Sequence, residues 1–236
     1  MLVNRRPHIP MPRKIILDAN TTVSITTHKS KRKIRPAKTI PNLAHVYYYP
    51  NRPMLMPPAK DTLDKLEASG EYIAELKWNG DNTLIYTSTH TWWNRTKEHL
   101  QYAPTTPVLT ELNNLFPDPG SIINAETVNR CTKNHKNLII VHCLMAYKNH
   151  LLTGQTWGDS RKILETLNFK PNQHVILSKI YTKGFWDLFQ STLDMDEAID
   201  GIILKRLSGK LVFSAKPLKD QPWMLKFRKP SKKYHF

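Results

Sequence analysis

The sequence predicts an α+β fold in which antiparallel sheets are flanked by helices. Segments with the alternation of a strand outnumber those with helical periodicity, and neighbouring strand segments are often joined by short turns. No internal repeat of fixed period occurs, so solenoid and propeller architectures are not expected. With 236 residues, the chain is long enough to bury a full hydrophobic core.

The N-terminal region differs in composition from the rest of the chain. Residues 1–60 contain 12 Lys/Arg against a single acid, Asp18, together with nine of the 17 prolines. Such a segment does not supply its own core, and we interpret residues 1–52 as a basic arm that contacts phosphates. A solubilising or targeting tail is the alternative. Residues 53–229 form the predicted globular domain, and residues 230–236 form a basic tail.

A short helix begins the globular part. Asp61 is its predicted N-cap, Leu63 and Leu66 share one face, and Gly70 follows its last turn. Three further helices fit Pro107–Phe116, Ser160–Asn168 and Phe185–Leu193. The predicted strands are Glu71–Leu76, Thr83–Thr87, Thr91–Arg95, Ser121–Val128, Asn137–Met145, His174–Tyr181, Ile199–Lys205, Lys210–Ser214 and Trp223–Arg228.

The stretch AELKWNGDN, residues 74–82, places Lys77 just before a turn that ends on Gly80. Asn-Gly is a strong hairpin signal, so one interpretation is a solvated lysine beside an ordinary hairpin. The other is a nucleophilic lysine at a strand end, where a phosphate can approach backbone that Gly80 leaves uncovered. The motif alone does not decide between them, because Lys-x-x-Gly occurs often by chance.

Four other strands also carry charged residues on otherwise apolar sequence. Glu126 lies within IINAETV, and Asp200 and Lys205 lie within AIDGIILK. Lys226 and Arg228 lie within WMLKFRK, and Arg95 follows an aromatic strand. Burying one unpaired charge is costly, so several such residues indicate a shared anionic, metal-bearing site. Glu126 and Asp200 are candidate ligands of a divalent ion, and the cations are candidate phosphate ligands.

Six motifs, in their order along the chain, resemble those of ATP-dependent DNA ligases. These enzymes belong to the nucleotidyltransferase superfamily, which also includes RNA ligases and mRNA capping enzymes. The motifs are ELKWNGDN, WWNRT, IINAETV, LIIVHCLM, AIDGIILK and MLKFRK. The match spans roughly residues 53–229. HCLMAYKNHLLTGQTWGDSRKIL, with its Leu-Thr-Gly turn and Arg161, favours the DNA ligase branch. RPMLMPPA resembles the approach to that branch's nucleotide pocket.

The resemblance implies ATP and Mg²⁺ as cofactors and a three-step reaction through lysyl-AMP on Lys77. The substrate would be nicked duplex DNA, or a duplex that contains RNA. The roles implied for the other residues are as follows: Glu75 contacts the adenine amino group, Arg95 the ribose or the 5′-phosphate, Glu126 the ribose or the metal, His142 stacks on adenine, Asp200 binds metal, Lys205 approaches the phosphates, and Lys226 and Arg228 hold the α-phosphate. A core role for His142 is the alternative.

The sequence departs from the family pattern at several positions. Asn79 stands where DNA ligases usually have Asp, and Asn82 stands where an Arg is common. The tripeptide NAE replaces the usual Asp-Gly-Glu, and Arg228 occupies the position of a customary lysine. Only eight residues follow Arg228, too few for the OB-fold that usually follows this domain. The sequence as given therefore predicts a minimal ligase, or one whose missing function comes from another chain.

Composition excludes some classes and leaves others open. No apolar run is long enough for a membrane span, and the N-terminus lacks the apolar segment of a secretory signal, so we expect a cytoplasmic protein that does not bind membranes. Neither cysteine has a partner at zinc-ligand spacing. A monomer is the default expectation. Strand ligation on RNA or RNA/DNA hybrids is the first alternative to DNA nick sealing, and a non-catalytic nucleic-acid-binding protein is the second.

Overall fold

Alternating apolar residues build two sheets in the computed structural model, which describes residues 46–129, 133–171 and 173–230. Most of the predicted arm, residues 1–52, and all but Pro230 of the tail lie outside these ranges. The helices are α1 (Lys60–Ala68), α2 (Thr106–Leu115), α3 (Trp157–Glu165) and α4 (Phe185–Leu193). The strands are β1 (Arg52–Met56), β2 (Tyr72–Trp78), β3 (Asp81–Tyr86), β4 (Thr91–Asn94), β5 (Ile122–Val128), β6 (Leu138–Tyr147), β7 (His150–Leu151), β8 (Val175–Leu177), β9 (Ile180–Tyr181), β10 (Ile199–Arg206) and β11 (Asp220–Arg228).

The strands pair mainly in the antiparallel sense. One sheet has five strands in the order β1-β11-β10-β2-β9, and the other has six, ordered β4-β3-β5-β6-β7 with β8 also paired to β6. Two pairings are parallel, β1 with β11 and β6 with β8. The predicted α+β class with antiparallel sheets and flanking helices is confirmed.

Each sheet has its own buried cluster. In the five-stranded sheet, the face that carries Ala74, Ile202 and Phe227 packs with Leu63 of α1 and Phe189 of α4. In the six-stranded sheet, a larger cluster includes residues of β3, β5 and β6 together with residues of α2 and α3. Helices therefore cover the apolar face of the five-stranded sheet, and its opposite face is available for polar side chains.

Helix ends differ in part from the prediction. Ala59, rather than Asp61, is the N-cap of α1, and no side chain caps it. Gly70 does follow the last turn, with a φ of +65°. Helix α3 begins before the predicted Ser160, because the Thr156 hydroxyl accepts from the Asp159 N–H while the Asp159 carboxylate accepts from the Thr156 N–H. Helix α4 has the predicted ends.

Long-range pairing explains the strands that were predicted wrongly. The segment His174–Tyr181 divides into β8 and β9, which join different sheets. Lys210–Ser214 is not a strand and makes only two isolated bridges, although its Leu211 is buried. Strands β1 and β7 were not predicted. No helix among the described residues is long and apolar enough to cross a membrane.

Candidate active site

Lys77 lies where the chain passes from one sheet to the other. Strands β2 and β3 are joined by Asn79 and Gly80 alone, yet they belong to different sheets, so the hairpin interpretation is wrong. Gly80 is required there because a Cβ would lie 2.5 Å from the Thr127 carbonyl oxygen. Its N–H donates to Glu126 Oε1 at 3.0 Å. This short crossing brings the end of β2 close to β5.

Register in the five-stranded sheet aligns the predicted cations. Gly201 of β10 lies between Lys77 of β2 and Arg228 of β11. In the next row on the same face, Ile203 lies between Glu75 and Lys226. Residues two apart on a strand share a face, so both rows lie opposite the helix-covered core. The strands therefore present lysine, arginine and glutamate side chains on one surface.

Asp200 reaches this surface through a β-bulge. The register of β10 against β2 shifts between Ile199 and Gly201, which leaves Asp200 as the extra residue. Gly201 has a φ of +130°, and a Cβ there would collide with the Phe227 carbonyl oxygen. Asp200 Oδ2 accepts from Lys77 Nζ at 2.7 Å and lies 3.3 Å from Arg228 Nε. The bulge thus pairs a carboxylate with the predicted nucleophile.

A buried ionic cluster forms the inner end of the site. Glu75 Oε2 accepts from Lys205 Nζ at 2.7 Å and lies 3.6 Å from His142 Nδ1. The Glu75 and Lys205 side chains are 1% and 3% exposed. Lys205 Nζ also lies 4.9 Å from the centre of the Trp157 ring. Glu75 Oε1 is buried and has no hydrogen-bond partner among the described residues.

Two pKa values define the charge state of this inner end. Burial alone would raise the pKa of Glu75, but Lys205 and His142 outweigh it and hold the value at about 2. Burial lowers the pKa of His142, and the neighbouring Glu75 only partly opposes this. At neutral pH the Glu75 carboxylate is therefore ionised and the His142 imidazole is neutral.

The six-stranded sheet contributes Glu126, Arg95 and His142. Glu126 lies on β5, and burial raises its pKa to about 7 against the opposing effects of Lys77 and the Gly80 N–H. Arg95 is exposed just after β4. In the five-stranded sheet, burial lowers the pKa of Lys226. The charge of Asp220 opposes this lowering, and the charge of Arg228 adds to it.

These side chains line one cleft of about 460 Å³. It brings together seven of the predicted residues, namely Lys77, Arg95, Glu126, His142, Lys205, Lys226 and Arg228. Glu75 and Asp200 join them through the contacts described above. Ile203 and Met224 add apolar surface from the five-stranded sheet. Among the described residues that line the cleft, six are Lys/Arg and two are acidic, a balance that suits a polyanionic ligand.

Two asparagines in the cleft had no predicted role. Asn82 and Asn124 both line it and are hydrogen-bonded to each other at 2.9 Å. The sequence showed them only as departures from the ligase pattern, because an amide carries no charge to single it out.

Comparison with solved structures shows the fold. The ligase domain of LigD from M. tuberculosis aligns with a TM-score of 0.53 at 15% identity, covering 76% of this chain and 59% of that one. The chain has the fold of a ligase nucleotidyltransferase domain. It therefore spans about three-fifths of the LigD ligase domain. No family model and no curated protein matches the chain.

Two further structures give lower scores. A mycobacterial DNA ligase D complexed with ATP and MES aligns at 16% identity and a TM-score of 0.49, covering 75% of this chain and 60% of that one. An archaeal ATP-dependent RNA ligase aligns at 13% identity with a TM-score of 0.44, and the alignment covers 75% of this chain and 47% of that one.

Proposed function

We propose that this chain is an ATP-dependent polynucleotide ligase that seals nicks between a 5′-phosphate and a 3′-hydroxyl in duplex DNA, through lysyl-AMP on Lys77. One observation carries the proposal: the Lys77 amine lies at the crossing between the sheets, 13% exposed and 2.7 Å from Asp200. Lys226 and Arg228 line the same cleft. A nucleophile among phosphate-binding cations is the arrangement that nucleotidyl transfer needs.

The inner end of the cleft suits adenine. The buried, unsatisfied Glu75 Oε1 is an acceptor that the exocyclic amino group of adenine can satisfy. His142 is neutral and supplies a flat ring, and Ile203 and Met224 supply apolar surface. In this proposal Lys205 acts through Glu75, because its amine is bonded to that carboxylate.

The chemistry proposed for the mouth is three successive displacements at phosphorus. Lys77 nitrogen bonds to the α-phosphorus as the α–β bridging bond breaks, and pyrophosphate leaves. An oxygen of the 5′-phosphate of the nick then bonds to the α-phosphorus as the bond between that phosphorus and the Lys77 nitrogen breaks. In the last step the 3′-hydroxyl loses its proton and bonds to the 5′-phosphorus, the phosphoanhydride bond breaks, and AMP leaves. The protein contributes mainly positioning and charge neutralisation, from Lys226, Arg228 and Arg95.

Magnesium fits the carboxylates at the mouth. Glu126 and Asp200 would hold the ion, which supplies positive charge to the phosphates when bound. The described residues contain no group of three or more His, Cys, Asp or Glu side chains arranged to hold a metal. Mg²⁺ usually keeps several waters and takes one or two carboxylates together with substrate phosphates, which is the ligand set of this proposal.

The test of the proposed function is the intact mass of the full chain after incubation with ATP and Mg²⁺. We expect a gain of one AMP in the parent and in Lys148→Ala, which removes an exposed lysine of the β6–β7 turn, and no gain in Lys77→Ala. Absence of the adduct from the parent under varied pH and nucleotide would contradict the proposal and favour a binding protein. An adduct that survives Lys77→Ala would assign the nucleophile elsewhere.

The nucleic acid is tested on nicked duplexes that differ only in the sugar bearing the 3′-hydroxyl. We expect deoxyribose nicks to be sealed at least as fast as ribose nicks. Faster sealing of ribose nicks would replace duplex DNA by an RNA-containing substrate and leave the lysyl-AMP chemistry intact. The monomeric state and the role of the basic arm remain predictions.

A further inference from the structure

A second cavity, of about 480 Å³, lies outside the cleft and has aromatic walls. Tyr47, Tyr86, Trp93 and His99 all line it. The Trp93 ring stacks on the exposed His99 ring, with their centroids 3.9 Å apart, and its centroid lies 6.0 Å from that of Tyr47. Both tyrosine hydroxyls donate to backbone carbonyl oxygens, at 2.8 and 3.0 Å. Their polar ends are therefore satisfied within the protein, and the cavity walls consist largely of ring surface.

Strand alternation places Trp93 on the cleft side of the six-stranded sheet. Its neighbour Trp92 is 6% exposed and belongs to the core, so the two rings lie on opposite faces. Leu84 pairs with Trp93 on one side and with Asn124, which lines the cleft, on the other. Residues that pair directly across antiparallel strands share a face. The aromatic cavity and the cleft therefore lie on the same face of this sheet.

The turn that follows β4 connects the two sites. Asn94 Oδ1 accepts from the backbone N–H groups of Thr96 and Glu98, both at 2.9 Å. Within this turn Lys97 has a left-handed backbone, with a φ of +68°. Arg95 and Thr96 line the cleft, whereas Lys97 lines the aromatic cavity. One hydrogen-bonded turn thus presents a cation to each site.

The charge of the cavity favours a nucleic acid over the aromatic side chain of a partner protein. Among the described residues that line it, Lys97 and His99 are basic types and none is acidic. The chain as a whole carries a formal charge of +16. Aromatic rings beside a cation are the combination that binds single-stranded nucleic acid, because the rings stack on the base and the cation binds the adjoining phosphate.

We propose that this cavity binds one unpaired nucleobase of the strand that carries the 5′-phosphate, an inference that rests on the proposed function. Arg95 is a candidate ligand of that phosphate and lies two residues before Lys97, so the first nucleotide of a strand held there lies next to the cavity. The Thr89 and Thr91 hydroxyls share one hydrogen bond of 2.7 Å, which leaves one hydroxyl proton for an acceptor on the base edge. The substrate class is then a nicked duplex whose 5′-terminal nucleotide is unpaired.

The experiment measures binding of the full chain to two nicked duplexes by fluorescence anisotropy, with a 3′-deoxy end that prevents sealing. In both duplexes the nucleotide that carries the 5′-phosphate lies opposite an abasic position. This nucleotide carries thymine in the first duplex and has no base in the second. The two ligands have the same charge, so phosphate contacts cancel in the ratio of their Kd values.

In the parent we expect the thymine duplex to bind roughly five- to hundredfold more tightly, as for one stacked base. In His99→Ala and in Trp93→Leu we expect the ratio of the two Kd values to fall to near one. Lys97→Gln should instead weaken both duplexes equally and lower the salt dependence of binding by about one unit of slope, because it removes a phosphate contact.

Controls separate base binding from folding and from catalysis. Trp186→Leu removes a partly buried tryptophan of α4, outside both the cleft and the cavity, and should keep the parent's ratio. If circular dichroism shows that Trp93→Leu does not fold, the exposed His99 decides the test alone. A ratio near one in the parent, or a ratio that the folded cavity variants retain, would overturn the inference and favour a protein side chain as the occupant. Absence of the AMP adduct with the ratio intact would reject the proposed function and leave the base-binding site.

Discussion

The two ends of the cleft contain lysine–carboxylate pairs of the same length in different surroundings. At the inner end, Lys205 and Glu75 are 2.7 Å apart and their side chains are 3% and 1% exposed. At the mouth, Lys77 and Asp200 are also 2.7 Å apart, but 13% and 19% exposed. Distance alone therefore does not distinguish a pair that holds the fold from a pair that is available for chemistry.

The two pairs differ in how deeply they are buried and in how many other charged partners the carboxylate has. Removing Lys205 would leave a carboxylate in the core with only neutral His142 nearby, whereas removing Lys77 would leave Asp200 near Arg228 and water. The desolvation cost of an unpaired charge is large inside a protein and small near its surface. The inner pair is thus held in place by its burial, whereas the outer lysine can separate from its carboxylate, as the proposed attack on phosphorus requires.

The largest expected effect comes from breaking the inner pair. Lys205→Met replaces the apolar part of the side chain as far as Cε and leaves Glu75 buried without its cation, which should lower the free energy of unfolding by about 3–5 kcal/mol. Urea denaturation at pH 7 measures this.

Glu75→Gln in the same chain removes the stranded charge. The double variant should therefore recover a large part of the lost stability. If the two variants were equally unstable, the loss would come from packing against Trp157 rather than from the ion pair.

Acid should lower the free energy of unfolding by a comparable amount, through protonation of Glu75 at the inner end. The pKa of Glu75 is about 2 in the folded chain, against 4.5 as its ordinary value, so the folded state binds fewer protons between these values. The stabilisation is complete above about pH 4.5 and is lost as the pH falls toward 2, with a total of roughly 3 kcal/mol. His142, whose pKa is lowered by burial, changes stability in the same direction at higher pH.

The measurement is urea denaturation of the parent and of Lys205→Met/Glu75→Gln at several values between pH 7 and pH 3. Subtracting one curve from the other cancels the remaining carboxylates. We expect the parent to lose more stability than the double variant below pH 4.5. Parallel curves would show that Glu75 titrates near its ordinary value in the folded chain.

Alternation made most of the site predictable from sequence. Lys77, Lys205, Lys226 and Arg228 lie on strands whose period places them on one face, and the strands themselves were found with small errors at their ends. Asp200 is different: strict alternation places it on the opposite face from Gly201, toward the core. Its charge on an otherwise apolar strand and the resemblance to ligases both assigned it to the site, and the bulge at Gly201 supplies the physical reason.

The errors share a cause, which is pairing between residues far apart in sequence. Strand β1 contains Pro53 and follows Pro50, so its composition argues against a strand. It forms because β11 offers an edge for parallel pairing. The supposed hairpin at Asn79-Gly80 has the right turn residues, but β3 pairs with β4 and β5 instead of β2. Local sequence cannot report which distant strand will be the partner.

The smallest expected effect on stability comes from the mouth. Lys77→Met should lower the free energy of unfolding by about 1.5 kcal/mol, less than Lys205→Met, because Asp200 keeps Arg228 at 3.3 Å and is more exposed than Glu75. The same variant should abolish the AMP adduct, which separates the role of the pair in chemistry from any role in folding.

Lys148→Ala is its control, since Lys148 and Asp118 also lie 2.7 Å apart but are 52% and 53% exposed. It should leave both the denaturation midpoint and the adduct unchanged. If Lys77→Met destabilised the chain as much as Lys205→Met does, the outer pair would be structural after all. Burial would then no longer separate the two ends of the cleft, and the assignment of Lys77 as a lysine free to react would lose its main physical support.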